Sequence, residues 1–182
     1  MAIDSWLARL EASSIANAIR ESLYLFPVAE SLHVIGLTMV FGTIAIVDLR
    51  LLGVAWTRRS FTRIAADVLK WTWAAFALSV ATGVFMFITN AGVYYHNVFF
   101  RVKMGLLALS GLNMLAFELT ARRSVGRWDE HTTAPPAGRI VAGLSLALWI
   151  TTIFMGRWIG FTTSRAQFTP DTDINIEDFL PK

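Results

Sequence analysis

Three histidines, His33, His96 and His131, and no cysteine bound the chemistry available to this chain. Without thiols there are no disulfides, no cysteine-type zinc sites, no iron–sulfur clusters and no thiol catalysis. Any imidazole-based metal site draws on those three residues. Only His33 falls inside a long apolar run, the segment SLHVIGLTMVFGTIAIVDLRLLG that starts at Ser31 and ends at Gly53. An imidazole there either packs, or serves as a metal ligand or redox residue. Gly36 follows at i+3, on the same helical face. Its missing side chain leaves room of the kind a flat ligand needs. The same run carries Asp48 and Arg50 near its far end. No P-loop, HExxH, dinucleotide fingerprint or nucleophile triad occurs.

The elements that must position these residues are membrane spans. Of the 182 residues 55% are hydrophobic and 16% charged, against about 25% charged in a soluble domain. Mean hydropathy is +0.53. The sequence pI of about 9.7 would suit nucleic acid, but the basic residues flank apolar runs instead of forming a stripe. Four stretches, 29–56, 68–90, 99–121 and 140–162, reach the roughly 20 apolar residues needed to cross hydrocarbon as a helix. The expected fold is all-α: one domain, residues 1–182, built as a four-helix transmembrane bundle.

Charge gives the bundle a direction. One side holds nine basic residues (Arg50, Arg58, Arg59, Arg63, Lys70, Arg122, Arg123, Arg127 and Arg139) against five acids. The opposite side holds seven basic residues and eight acids. The first side is expected to face the cytoplasm, so that both termini lie outside. Residues 1–28 show no signal-peptide pattern. Ile3, Trp6, Leu7 and Leu10 fall at helical spacing, which predicts an amphipathic helix lying on the outer leaflet, or docked on the bundle or a partner subunit. Residues 163–182 form a polar, acidic tail, either disordered or held by another protein.

At about 1.5 Å per residue, the spans sort their polar groups into two layers. His33 and Lys103 lie about four residues into the first and third spans, at one depth near the outer boundary. Glu30, Asn90 and Arg157 share that layer, with Tyr94, Tyr95 and His96 in the loop above. Fifteen residues deeper on the same two spans come Asp48 and Glu118. Together with Arg50, Lys70 and Arg139 they make an inner layer. There Asp48 and Glu118 are expected to form structural ion pairs with Arg50 or Arg139, with Arg50 also able to reach the headgroups. The Gly156 and Gly160 pair, and Gly83, Gly105 and Gly111, read as close-packing positions.

The pattern LHxxGLxxxxGxxxxxDLRLLG in the first span, followed by NxxFxxK at Asn97, Phe100 and Lys103, resembles a family of small bacterial inner-membrane proteins. That family is distantly similar to the CopD and HemJ groups of four-helix membrane proteins. The resemblance covers roughly residues 21–163. HemJ-type proteins bind haem b and oxidise protoporphyrinogen, and depend on a first-span histidine and a third-span lysine; the matching positions are His33 and Lys103. Where related sequences carry a further histidine late in the third span, this chain has Glu118. CopD-type proteins handle copper and carry more Met and His near the outer face.

The resemblance implies a small redox subunit of the bacterial inner membrane. It would hold haem b with His33 as axial ligand, Lys103 and Arg157 on the propionates, and His96 or no residue as second ligand. Two other readings stand beside it. One is a non-catalytic anchor or accessory subunit, binding other membrane or periplasmic subunits through the N-terminal helix and acidic tail. The other is CopD-like transport of copper or a small solute. Nucleic acid is not an expected partner.

Overall fold

The computed structural model describes residues 2–120, 122–129 and 134–167. His131 and the distal part of the tail, 168–182, lie outside the described residues. Every regular element among those described is helical. In chain order they are α1 (Ala2–Glu11), α2 (Ser14–Glu21), α3 (Leu25–Leu52), α4 (Phe61–Thr89), α5 (Ala91–His96), α6 (Val98–Leu119), α7 (Val125–Trp128) and α8 (Pro136–Gln167). A 3₁₀ turn at Arg122–Ser124 precedes α7.

Four of these helices, α3, α4, α6 and α8, are long and apolar enough to cross a membrane. Their ends differ from the hydropathy boundaries because hydropathy reads lipid contact and helices stop at caps. The first span ends at Gly53, whose φ of 75° is left-handed and favours glycine. Gly53 N–H donates to Arg50 O at 3.1 Å and Val54 N–H to Leu49 O at 3.0 Å, closing the last turn. Trp56, expected inside the span, sits in the connection. α4 starts seven residues before the apolar stretch, so seven of the eleven residues between the first two stretches are helical. Ser60 makes no side-chain cap there. The Asp129 carboxylate, just past α7, accepts instead from Thr62 N–H at 2.9 Å and from the Thr62 hydroxyl. An acid beside a helix N-terminus also suits the helix dipole.

α3 packs along α4 and α8, and α6 packs along α8. α4 and α6 share no such lengthwise interface. They meet through rings near both ends: Phe87 stacks on Phe100 at 5.5 Å, and Phe61 meets Phe117 at 5.5 Å. The bundle is therefore closed at its ends and loosely joined between α4 and α6. Two apolar cores hold it. One gathers Leu51, Phe61, Trp128, Ala134 and Ala142 near the α3–α4 connection; the other gathers Val40, Ala75 and Trp149 at mid-height. Most large apolar side chains on the spans point outward, as lipid-facing helices require.

α1 and α2 pack on the end of the bundle where the chain begins. Arg20 donates to Thr89 O of α4 at 2.8 Å and to Glu11 O. Glu11 in turn accepts from Gly92 N–H at 2.8 Å. Leu7, Ala16 and Ile19 are buried by this docking, while Ile3, Trp6 and Ile15 stay exposed.

Candidate functional site

His33 is half-buried and faces α4. Its Nδ1 lies 2.8 Å from Ser79 O and 3.1 Å from Thr82 Oγ1. A backbone carbonyl can only accept, so Nδ1 carries the proton. The Thr82 hydroxyl gives its own proton to Leu78 O at 2.7 Å and so also accepts from the imidazole. The ring is thereby fixed in one tautomer, with its lone pair on Nε2. Metal-ligating histidines are held in this way, one nitrogen tied to a carbonyl and the other presented.

Glycines set how closely α3 and α4 approach. A Cβ on Gly83 would lie 3.1 Å from His33 Cε1. A Cβ on Gly36 would lie 2.5 Å from Ser79 Oγ and 3.1 Å from Ala75 O. The space that the sequence leaves at Gly36 is thus taken by α4 itself. Gly36 acts on His33 by letting the Ser79 backbone come within hydrogen-bonding reach.

Lys103 of α6 is half-buried, with its Nζ 3.8 Å from where a Gly156 Cβ would stand. It is near enough to His33 for their charges to interact. The two residues that the depth count set at one level thus lie within electrostatic reach of each other. Above them Phe87, Tyr94 and Phe100 form an aromatic group with centroid separations of 5.5 to 6.4 Å. Burial pushes the Tyr94 phenol above its usual pKa, and the nearby Glu30 carboxylate adds to this. Asn97 fixes the start of α6: its side-chain oxygen accepts from Phe99 N–H and Phe100 N–H, and its amide donates to Thr162 of α8 at 2.9 Å. The NxxFxxK pattern is one device: Asn97 caps α6 and ties it to α8, Phe100 stacks on α4, and Lys103 lies against Gly156 of α8 within electrostatic reach of His33.

Two candidates from the sequence stand elsewhere. Arg157 is exposed, with its guanidinium over the Phe161 ring at 5.4 Å. His96 is exposed and turned to Asp4 of α1, Nε2 to Oδ1 at 3.2 Å. Among the described residues no cluster of three His, Cys, Asp or Glu could hold a metal ion. The residues sequence reasoning passed over are Ser79 and Thr82. Their hydroxyls bond within α4, as span Ser and Thr commonly do. The signal was the small-residue face of α4, where Ser79, Thr82 and Gly83 fall at i, i+3 and i+4 opposite His33 and Gly36.

The inner layer differs from the expected ion pairs. Asp48 and Arg50 are two residues apart and face different sides of α3, so they do not pair. Arg50 is 0% exposed. It donates from Nε to Arg59 O at 2.8 Å and from Nη2 to Asp129 O at 3.1 Å, bracing two connections from inside in place of reaching the headgroups. Asp48 is 5% exposed and faces Ser145 of α8; its Oδ2 has no hydrogen-bond partner. Glu118 pairs with Arg122, one turn on, in place of Arg139. Asn113 carries a second polar link to α8, donating to Val141 O at 3.0 Å.

Four apolar helices around a half-buried imidazole and a half-buried lysine define a multi-pass helical membrane protein with a polar site near one end. The chain belongs to a family of unknown function, DUF6644, whose pattern matches residues 19–162. That span takes in α3 to α7 whole and reaches into α8. No curated protein and no solved structure gives a match.

Proposed function

We propose that this protein is a small redox subunit of the bacterial inner membrane that holds haem b through His33. One observation carries the reading. His33 is tied by Nδ1 to Ser79 O, which leaves the Nε2 lone pair available to a ligand. The residues present fit one axial ligand. His96, engaged with Asp4 at the surface, is not placed as a second. Bound haem would supply one-electron chemistry. The chain's own residues would orient His33, offer the Lys103 ammonium to a carboxylate, and close the end of the site with Phe87, Tyr94 and Phe100. The loose α4–α6 seam suits entry of a flat apolar molecule from the lipid side. In this reading Arg157, exposed on α8, is left out of the propionate site.

Soret absorbance of protein purified in mild detergent, after haem-precursor feeding and again after hemin reconstitution, tests this. His33→Ala abolishes the band in a folded protein, and Lys103→Ala weakens retention with the ligand spectrum unchanged. A colourless, folded wild-type protein after both treatments refutes the haem reading. The N-out, C-out orientation belongs to the same proposal. The chain has no cysteine, so single cysteines at Ser22 and Ser60 report it cleanly. Ser22 is reached by an impermeant reagent in intact cells and Ser60 is not; the reverse pattern inverts the topology.

A second reading, an accessory subunit without cofactor, rests on the docked N-terminal helices. They keep Ile3, Trp6 and Ile15 exposed above a bundle to which they are already hydrogen-bonded. Such a face suits the outer leaflet or a neighbouring subunit.

A further inference from the structure

At the end of the bundle away from the termini, a cleft of about 230 Å³ opens between α3, the 53–60 connection and α4. Its walls carry two kinds of surface. Ile46, Ile64 and Val68 line it with hydrocarbon, and Trp56, Arg59 and Asp67 line it with an indole and two opposite charges. Ile46 lies six residues before the end of α3, and Val68 seven residues after the start of α4. They are therefore about 9 and 10.5 Å inside the helix ends. Asp67, one residue before Val68, stands at nearly the same level, so the cleft sets charged groups beside hydrocarbon, and an occupant that matches it carries both charged and apolar parts.

The charged pair is specific in its chemistry. Arg59 and Asp67 are both exposed and line the same cleft, yet they make no ion pair with each other. A guanidinium offers a planar fork to phosphate. A carboxylate beside it repels an anion, but accepts hydrogen bonds from a primary ammonium. Together they match a headgroup carrying both charges. Trp56 completes the wall. It is the one non-glycine residue with positive φ among those described, at 51°, and its indole is 47% exposed. A bulky residue held in left-handed backbone marks a position that the surrounding structure over-determines. The brace is visible: buried Arg50 holds the Arg59 carbonyl at 2.8 Å, which pins the connection and sets both Trp56 and Arg59 at the cleft. An indole face beside a carboxylate suits an ammonium.

We propose that this cleft binds one phospholipid with a phosphoethanolamine headgroup. Its phosphate lies on Arg59, its ammonium on Asp67 and Trp56, and the start of an acyl chain along Ile46 and Val68. The site is independent of His33 and of any cofactor.

The test uses the full chain, delipidated in detergent, with three lipids of identical acyl chains: phosphatidylethanolamine, phosphatidylcholine and phosphatidylglycerol. Native mass spectrometry reads retention of one lipid per chain, and thermal unfolding reads stabilisation. Phosphatidylethanolamine is retained best and raises the unfolding temperature most. Arg59→Gln lowers its retention about tenfold, the loss expected for one charge-assisted hydrogen-bonded pair. Asp67→Asn removes the preference over phosphatidylglycerol. Trp56→Gly relieves the positive φ, so the lipid-free protein unfolds no earlier than wild type while retention of the lipid falls. Equal binding of phosphatidylcholine and phosphatidylethanolamine overturns the proposal, because a quaternary ammonium has no N–H for Asp67. So does stronger binding of phosphatidylglycerol by wild type, or retention unchanged in Arg59→Gln. Both charged side chains are at the surface, and circular dichroism of each variant confirms that a loss of binding is not a loss of fold.

Discussion

Gly36→Ala places a single methyl group where the structure has least room for one. The new Cβ would stand 2.5 Å from Ser79 Oγ, 3.1 Å from Ala75 O and 3.3 Å from Ser79 N. The first contact is closer than nonbonded atoms tolerate, and the other two are tight. α3 and α4 must then separate, or Ser79 must turn away from Ala75 O, to which its hydroxyl donates at 2.9 Å. Overpacking of this kind costs about 1–3 kcal/mol. Little offsets it in lipid, because helix association there relies on close backbone approach and not on hydrophobic burial. The Ser79 side chain supplies the worst contact, so Ser79→Ala in the Gly36→Ala background relieves it and leaves only the two backbone contacts. The double variant should recover about half of the loss. Ser79→Ala alone should be close to neutral, since a back-bonded serine contributes little to helix stability. The assay is reversible unfolding in mixed micelles, with the four proteins closing a double-mutant cycle. The same separation of helices lengthens the bond from His33 Nδ1 to Ser79 O, so the proton exchange of the imidazole should quicken in Gly36→Ala. Wild-type stability in Gly36→Ala, or strictly additive effects in the cycle, would refute the packing argument.

Arg50→Met removes at least two charge-assisted bonds to loop carbonyls from a fully buried site and should lower stability by about 3 kcal/mol, with faster proteolysis at 53–60. Arg50→Lys should recover little, because a point charge cannot span Arg59 O and Asp129 O as a planar fork does. Glu118→Gln should change stability by less than about 0.5 kcal/mol in the same unfolding assay, since its partner Arg122 is an exposed neighbour one turn away. Arg20→Ala should release α2 from Thr89 of α4 and from Glu11 of α1, seen as protease cleavage near Ser22 with the four spans left intact.

The number, order and approximate limits of the spans were legible in the sequence because lipid imposes a composition on every helix that crosses it. So was the approach of His33 and Lys103 to within electrostatic reach, because helical rise converts residue number into height. The sequence also marked Gly53 and Asn97 as parts of two motifs, and the structure explains both as caps at helix ends.

What the sequence did not determine is which way each polar side chain turns, since that depends on rotation about the helix axis and on what the neighbouring helix presents. Hydropathy assigns Asp48, Arg50 and Glu118 to one layer. Only packing sends them to Ser145, to loop carbonyls and to Arg122 respectively. Composition reads Gly36 as open space, and the approach of α4 fills it. The partner of His33 is a main-chain oxygen, a group every residue carries and no sequence pattern singles out. A chain's chemistry fixes what must enter the membrane and at what depth; the tertiary contacts decide which groups meet there, because pairing between helices is a matter of distances of a few ångströms that local sequence does not encode.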